Sequence, residues 1–175
     1  MNVKAIIIVA GFVLFIAAPM LYLAFGRYMY SCSQPDPPLP EITFGEFPFH
    51  IEYEIHGERV VVEDSVICEF DGVATSWGGQ GKYLKWKSYL SSDKTAPFGA
   101  ALKVDGENQV YFSLGSPEYY MGAIERNEPN FYVFKVIAQG NNSGRKVIET
   151  DELYSIYGIK VMSYVFSSPI ENIFK

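Results

Sequence analysis

The pattern of hydrophobic and polar positions begins with an uncharged run from Ala5 to Phe25. At about 1.5 Å rise per residue, a helix over such a run spans roughly 30 Å, which matches the hydrocarbon thickness of a bilayer. Lipid offers the backbone no hydrogen-bond partner, so a spanning segment of this length has to be helical. The pattern predicts an N-terminal transmembrane helix, and residues 1–27 are assigned to a membrane anchor.

Two other interpretations of this segment stay open, namely a cleaved signal peptide and a lipid attached at Cys32. The apolar core of a signal peptide has about 7–15 residues and ends at a small-residue cleavage site. Here bulky and basic residues, from Arg27 to Tyr30, follow a longer run. Lys4 and the amino terminus, set against Arg27, favour a cytoplasmic N-terminus and an extracytoplasmic C-terminal domain.

A proline-rich segment follows the apolar run, with four prolines between positions 35 and 40. Such a composition favours an extended, semi-rigid polyproline backbone. Residues 28–41 are therefore predicted to form a juxtamembrane stalk, and residues 42–175 one extracytoplasmic domain.

Alternation between apolar and polar residues then predicts a hairpin over residues 49–63. One face of its first strand is apolar and the other polar, with Phe49, Ile51, Tyr53 and Ile55 opposite His50, Glu52, Glu54 and His56. Gly57-Glu58 is the predicted turn. Further strands are predicted at 64–70, 100–104, 109–114, 131–137, 146–149 and 159–166. Residues 82–90 fit a strand or a helix, and Asp71-Gly72 is predicted to end the third strand.

Two short helices complete the prediction. Ser116, Pro117 and Gly122 have the order of an N-cap, a first-turn proline and a terminal glycine. Thr150 and Gly158 bracket a second segment of the same kind. Because the connections are short and strands do not alternate regularly with helices, the expected fold is α+β, a mainly antiparallel sheet with about two short helices.

Charge and aromatic content narrow the classes of partner. All 20 acidic residues but only 12 of the 14 Lys and Arg lie in residues 33–175, so this part has a formal charge of −8. A negative domain without a basic block argues against nucleic acid as a partner and leaves a basic protein open. The 13 Tyr, 13 Phe and 2 Trp suit β-strands and a compact core.

Two groups of residues are candidate sites. His50, Glu52, Glu54 and His56 offer imidazole and carboxylate ligands for a divalent metal ion, although the same residues equally describe the solvated face of an amphipathic strand. Trp77 and Trp86 are candidates for stacking on cell-wall glycan, and a place in the core or a hairpin is the alternative. No cofactor is expected.

No motif fixes an activity. The run from Gly78 to Lys82 resembles a phosphate loop, but Ser76 and Tyr83 stand where that motif requires Gly and Ser or Thr. No nucleophile motif is present, so no catalytic residue is named and an enzyme is not favoured. A disulfide between Cys32 and Cys68 stays open, since one pair of cysteines is a weak signal.

Several short segments together resemble a group of uncharacterised small bacterial single-pass membrane proteins with an acidic, aromatic-rich C-terminal domain. They are Glu46–Phe49, Ile67–Gly72, Lys85–Leu90, Tyr119–Gly122, Asp151–Leu153, Tyr157–Lys160 and Pro169–Asn172. The resemblance covers most of residues 45–175 and implies a bacterial envelope location without implying an activity.

The expected function is that of a membrane-anchored, non-enzymatic envelope protein that binds another protein, in an immunity-type or accessory role. It would contact the membrane through residues 5–25. The alternative is a domain that binds or hydrolyses cell-wall glycan. In the first hypothesis an acidic surface binds the partner protein. In the second, Trp77 and Trp86 bind the glycan.

Overall fold

A computed structural model of the chain describes residues 3–94, 100–105, 108–123, 131–139 and 142–175. In chain order the elements are α1 (Val3–Ser33), β1 (Phe44–Ile55), β2 (Glu58–Thr75), β3 (Lys82–Leu90), β4 (Ala100–Asp105), β5 (Asn108–Phe112), α2 (Pro117–Tyr120), β6 (Val133–Gln139), β7 (Asn142–Val147), α3 (Thr150–Tyr157) and β8 (Ile159–Phe166). The strands form two sheets, with orders β3-β2-β1-β8 and β4-β5-β6-β7. The predicted α+β class with antiparallel sheet is confirmed.

The chain divides into two compact units. The first contains Met1–Leu39 and Asp71–Lys85, and the second contains Pro40–Phe70 and Trp86–Lys175. Each unit therefore combines segments that are distant in the sequence. This division differs from the predicted order of anchor, stalk and domain, because the chain from Asp71 to Lys85 groups with the N-terminal helix.

The predicted first hairpin is present, with β1 and β2 paired antiparallel from Phe44↔Glu69 to Ile55↔Glu58. The predicted inner face is confirmed, since Phe49, Ile51 and Tyr53 are all buried. The predicted stop at Asp71-Gly72 is wrong, because β2 continues to Thr75. Gly72 takes a φ of 94° inside the strand, which glycine adopts without steric cost, and the chain passes through without turning.

The core of the second unit lies between the two sheets. The Tyr53 hydroxyl on β1 donates a hydrogen bond of 2.8 Å to the Leu102 carbonyl oxygen on β4. The Phe112 ring on β5 lies 5.3 Å from the ring of Tyr164 and 5.9 Å from that of Phe166, both on β8. Burying a large apolar side chain stabilises a fold by about 1.5–3 kcal/mol, so this aromatic layer is a main source of its stability.

Both short helices form where they were predicted. The Ser116 hydroxyl accepts a hydrogen bond of 3.3 Å from the Tyr119 amide, as a helix N-cap does. Helix α3 ends at Gly158, whose φ is 64°. The predicted N-cap at Thr150 is wrong, because Thr150 is already the first helical residue. The N-cap is Glu149, whose side chain makes no capping hydrogen bond.

The other predicted strands are also present; β8 has the predicted bounds, and β4 to β7 have shifted ends. Residues 82–90 form a strand and not a helix. Strands β4 and β5 pair from Ala100↔Phe112 to Asp105↔Asn108, and the two residues that join them, 106 and 107, lie outside the described residues. Strand β7 begins at Asn142, ahead of the predicted start.

The C-terminal tail, residues 169–175, docks within the second unit. The Glu41 amide donates to the Ile173 carbonyl at 2.9 Å. The Asn172 side chain donates to the Ile42 carbonyl at 2.8 Å and accepts from its amide at 3.0 Å. Ile173 itself is 55% exposed, whereas Ile170 and Phe174 are half-buried.

Helix α1 is continuous from Val3 to Ser33 and includes Pro19. Residues 28–33, predicted to begin the stalk, are therefore helical. Within the part of the chain that the structure describes, no helix combines the length and the apolarity needed to cross a membrane. The single-pass anchor over residues 5–25 stays a prediction.

Candidate binding surfaces

The polar face of β1 is held by ion pairs with the neighbouring strand. His50 Nδ1 lies 3.0 Å from Glu63 Oε1, and Arg59 Nε lies 2.6 Å from Glu52 Oε1. Glu54 stands opposite Arg59 in the same register. Three of the four candidate metal ligands thus face carboxylate or guanidinium partners across the strands.

His56 does not share this face, because it lies in the turn between β1 and β2 with a φ of 51°. Its backbone amide donates to the Gly158 carbonyl at 3.1 Å. A Cβ on Gly158 would lie only 2.6 Å from His56 Nδ1. The imidazole therefore packs against the end of α3. Strict alternation predicted it on the polar face of β1, where it does not lie.

The structure does not assemble these residues into a metal centre. Among the residues described, no group of three or more His, Cys, Asp and Glu side chains is placed to hold a metal ion. On β1, His50 lies beside Glu63 and Glu52 lies beside Arg59.

An open groove of about 600 Å³ lies where β1, β2 and β8 meet. We call it the acidic groove; its lining residues are Pro48, Phe49, His50, Glu63, Asp64, Ser65, Val165, Phe166 and Ser167. The Glu63 side chain is 74% exposed. Asp64 accepts hydrogen bonds from the Ser65 amide, at 2.7 Å, and from the Ser92 hydroxyl. Because the lining residues include no Lys or Arg, the groove offers negative charge to a ligand.

Strand β8 forms one edge of the first sheet, and most of its exposed side chains are apolar. Met162 is 50% exposed and Val165 is 65% exposed. Lys160 is its one charged residue. An edge strand presents unpaired backbone N–H and C=O groups, which allow another chain to add as a further strand. The β8 edge is therefore a candidate docking edge.

Only one of the two candidate stacking tryptophans is exposed. Trp86 is 8% exposed and its ring lies 5.3 Å from that of Phe70. Its indole N–H is buried without a hydrogen-bond partner among the described residues. Trp77 is 71% exposed. A buried ring offers no free face to a sugar, so Trp77 alone retains the geometry for glycan stacking.

In the first unit, the loop after β2 is fixed to the end of α1. The Trp77 ring stacks on Tyr28 with centroids 4.2 Å apart, and the Gly81 amide donates to the buried Ser31 hydroxyl at 3.2 Å. Lys82 Nζ lies 2.7 Å from Asp36 Oδ1 in the predicted stalk. Ring stacking and hydrogen bonds therefore hold the loop against the end of α1, and they offset the conformational entropy lost on ordering it.

A second groove, of about 510 Å³, lies between α1 and this loop. We call it the helix-exit groove; it is lined by Tyr22, Leu23, Gly26, Arg27, Tyr30, Gly78 and Gly79. Its lining residues include no acid. A Cβ on Gly79, whose φ is 82°, would lie 3.4 Å from Cβ and Cγ of Arg27, which shows how closely the loop approaches the helix.

The interior of the second unit holds a thiol and a phenol that resist ionisation. Burial, with a smaller contribution from Glu118, raises the pKa of Cys68 to about 12. Burial also raises the pKa of Tyr120, whose hydroxyl donates to the Leu114 carbonyl at 2.6 Å. Both cysteines of the chain are free. These groups are suited to a stable core and not to nucleophilic chemistry, which needs a lowered thiol pKa.

Comparison with known proteins adds no family. No protein-family model, no curated protein and no solved structure matches the chain. The geometry of the grooves and of the sheet edges is therefore what supports a function.

Sequence reasoning missed both grooves and the docking edge. One signal was available for the edge: β8 has a single Lys in eight residues, whereas β3 has lysines at 82, 85 and 87. The helix-exit groove had no such signal, because Arg27 and Gly79 are brought together by a contact across 52 positions of sequence.

Proposed function

We propose that this chain is a membrane-anchored, non-enzymatic protein of a bacterial envelope that binds another protein through the β8 edge and the acidic groove. The observation that carries the proposal is the exposed, nearly uncharged edge strand beside an acidic groove. An immunity-type protein, which would block a toxin at the membrane, is one concrete form of this role. The domain would lie outside the cytoplasm.

The anchor rests on the uncharged run from Ala5 to Phe25 and on the side chains of α1. Large apolar side chains are exposed around the helix, namely Phe12, Val13, Phe15, Ile16, Met20, Leu21, Tyr22, Leu23 and Phe25. A helix that is apolar all round is stable in a protein core or in a bilayer. Insertion in a bilayer would remove this surface from water.

The partner is expected to be basic and extended where it touches the domain. Strand addition at β8 would supply backbone hydrogen bonds, and side chains at alternate positions would give specificity. Glu63 and Asp64 in the acidic groove would attract Lys or Arg of the partner. The domain's net negative charge would speed the encounter at low salt.

Site-specific crosslinking in intact cells tests the proposal. A photoreactive amino acid replaces Val165 on β8 in the full chain, and a matched variant has it at Lys87 on β3. We expect a discrete protein adduct from position 165 that is absent from position 87. The adduct should weaken in Glu63→Gln but not in Glu171→Gln, which removes the same charge at an exposed position in the tail. Equal adducts from both strands, or none from position 165, would contradict the proposal.

Glycan binding is the alternative, and Trp77 is the observation that favours it, since the ring is 71% exposed. Stacking of a sugar ring on an aromatic side chain depends on a free ring face. Retention of the full chain on purified cell wall should then fall in Trp77→Ala and persist in Trp86→Phe. Unchanged retention in Trp77→Ala would remove this alternative.

A further inference from the structure

We propose that the helix-exit groove binds the phosphate of an anionic phospholipid headgroup through Arg27. The inference rests on the proposed membrane anchor, because it places this groove at the level where the uncharged run ends. It adds a ligand that the protein-binding role does not require.

Charge is the first argument. The groove lies next to the end of the uncharged run, and Arg27 is its one charged lining residue. No carboxylate of the described residues forms an ion pair with the Arg27 guanidinium. An arginine without a carboxylate partner is suited to phosphate, since its planar fork can donate two parallel hydrogen bonds.

The shape of the groove is the second argument. Gly26 leaves space next to Arg27, since a Cβ on Gly26 would meet nothing within 4 Å. Gly78 and Gly79 form the opposite wall and expose backbone in place of side chains. Because the Tyr28–Trp77 stack fixes this loop to α1, the opening is a built feature of the first unit.

The aromatic residues around the groove are the third argument. Tyr22, Tyr30 and Trp77 are 78%, 58% and 71% exposed. Tyr and Trp are enriched at the membrane–water interface, where the ring contacts acyl chains and the polar end stays in water. Leu23, 61% exposed, would lie on the acyl-chain side of the bound headgroup.

The test compares lipids bound to the full chain in nanodiscs of mixed phosphatidylglycerol and phosphatidylcholine, measured by native mass spectrometry. One basic residue near a membrane surface favours anionic lipid by roughly five-fold, and we expect about that enrichment of phosphatidylglycerol. Arg27→Gln should abolish it while retaining Cβ and Cγ, the atoms that face Gly79. Gly26→Leu should abolish it as well, by filling the groove while the charge remains.

Lys160→Gln is the matched control, because it removes one exposed positive charge on β8, and it should leave the enrichment unchanged. Loss in Arg27→Gln with retention in Gly26→Leu would overturn the site, since general surface attraction would then explain the preference. Displacement of the lipid by millimolar inorganic phosphate would also overturn it, by assigning the groove to a free anion.

Flotation on neutral phosphatidylcholine vesicles tests the anchor separately. Failure to float contradicts the proposed function, whereas flotation without enrichment contradicts only this site.

Discussion

Strands β3 and β8 are the two edges of one sheet, and they differ in how they meet the solvent. Strand β3 has lysines at 82, 85 and 87, whereas β8 has Lys160 alone. Charged side chains on an edge strand discourage pairing with other chains, and lysine is the residue most used for this. The difference indicates that one edge is protected and that the other is left available.

Each edge strand also contributes a buried side chain to the core. Ile159 on β8 is 0% exposed, and Leu90 on β3 is 8% exposed. The charge of the exposed side chains is where the two edges differ. Four predictions test this comparison, from the largest expected effect to the smallest.

Truncation of the inner side chains should destabilise both edges to the same degree. We expect Ile159→Ala and Leu90→Ala each to lower the free energy of unfolding by about 3 kcal/mol, because each removes buried methyl groups and leaves a cavity. Urea unfolding of the full chain in detergent, followed by circular dichroism, measures the effect. A cost below about 1 kcal/mol for either variant would show that the edges differ inside as well.

Alkaline pH should destabilise the centre of the sheet. The pKa of Cys68 is raised from 9.0 to about 12 by burial, so the folded state holds the proton more tightly than the unfolded state. This stabilisation is complete below pH 9 and is lost as the pH rises towards 12. At a slope of about 1.4 kcal/mol per pH unit, roughly 2 kcal/mol is lost between pH 8 and 10.5.

Urea midpoints of the wild type and of Cys68→Ala measure this loss. The variant should start less stable and decline less steeply, with the residual slope due to Tyr120, whose pKa burial also raises. Edge variants such as Val165→Lys should keep the wild-type slope. If the stability of Cys68→Ala falls as steeply with rising pH as that of the wild type, groups other than Cys68 cause the pH dependence.

Placing a lysine on β8, as on β3, should weaken partner binding. We expect Val165→Lys to weaken capture of the crosslinked partner about tenfold, or 1.4 kcal/mol, because a charge replaces an exposed apolar contact. Stability should change by no more than about 0.5 kcal/mol at this surface position. Binding is measured with the full chain in nanodiscs against the partner identified by crosslinking.

The reverse exchange, Lys87→Val on β3, is the matched control. It should leave partner affinity unchanged and increase self-association, which analytical ultracentrifugation detects. Tenfold weaker binding in this variant would mean that both edges contact the partner.

Removal of an ion pair in the first unit should have the smallest effect. Lys82 Nζ lies 2.7 Å from Asp36 Oδ1; the Asp36 side chain is 65% exposed and that of Lys82 is 22% exposed. Surface ion pairs contribute about 0–1 kcal/mol and weaken in salt. Lys82→Gln should therefore lower stability by about 0.5 kcal/mol in dilute buffer, and by less in high salt. A salt-independent cost above about 1 kcal/mol would give this pair a larger role than its exposure allows.

Local sequence patterns predicted well those strands and helix ends whose formation depends on residues within the same segment. The alternation from Phe49 to Tyr53 identified the buried face of β1 because side-chain direction in a strand has a period of two. Ser116 and Gly158 marked helix ends because capping is a local interaction. The same logic failed at Asp71-Gly72, since a glycine at positive φ fits a turn and a strand interior equally well.

The candidate sites were less predictable than the elements. His56 satisfied the alternation that Glu52 and Glu54 follow, yet the turn removed it from their face. Trp86 and Trp77 were equivalent in the sequence, and only packing against Phe70 separated a buried ring from an exposed one. Burial of a single residue depends on neighbours that are distant along the chain.

The sequence by itself determined the uncharged helix, the α+β class, the acidity of the domain and most strand positions, because periodicity, caps and charge act over a few residues. Only the tertiary structure decided which strands became edges, that the chain from Asp71 to Lys85 joins the N-terminal helix, and where the two grooves lie. Those features arise from pairing between segments far apart in sequence, such as β1 with β8 and Ser31 with Gly81. The free energy of each such contact depends on both segments, so the sequence of one segment alone does not predict it.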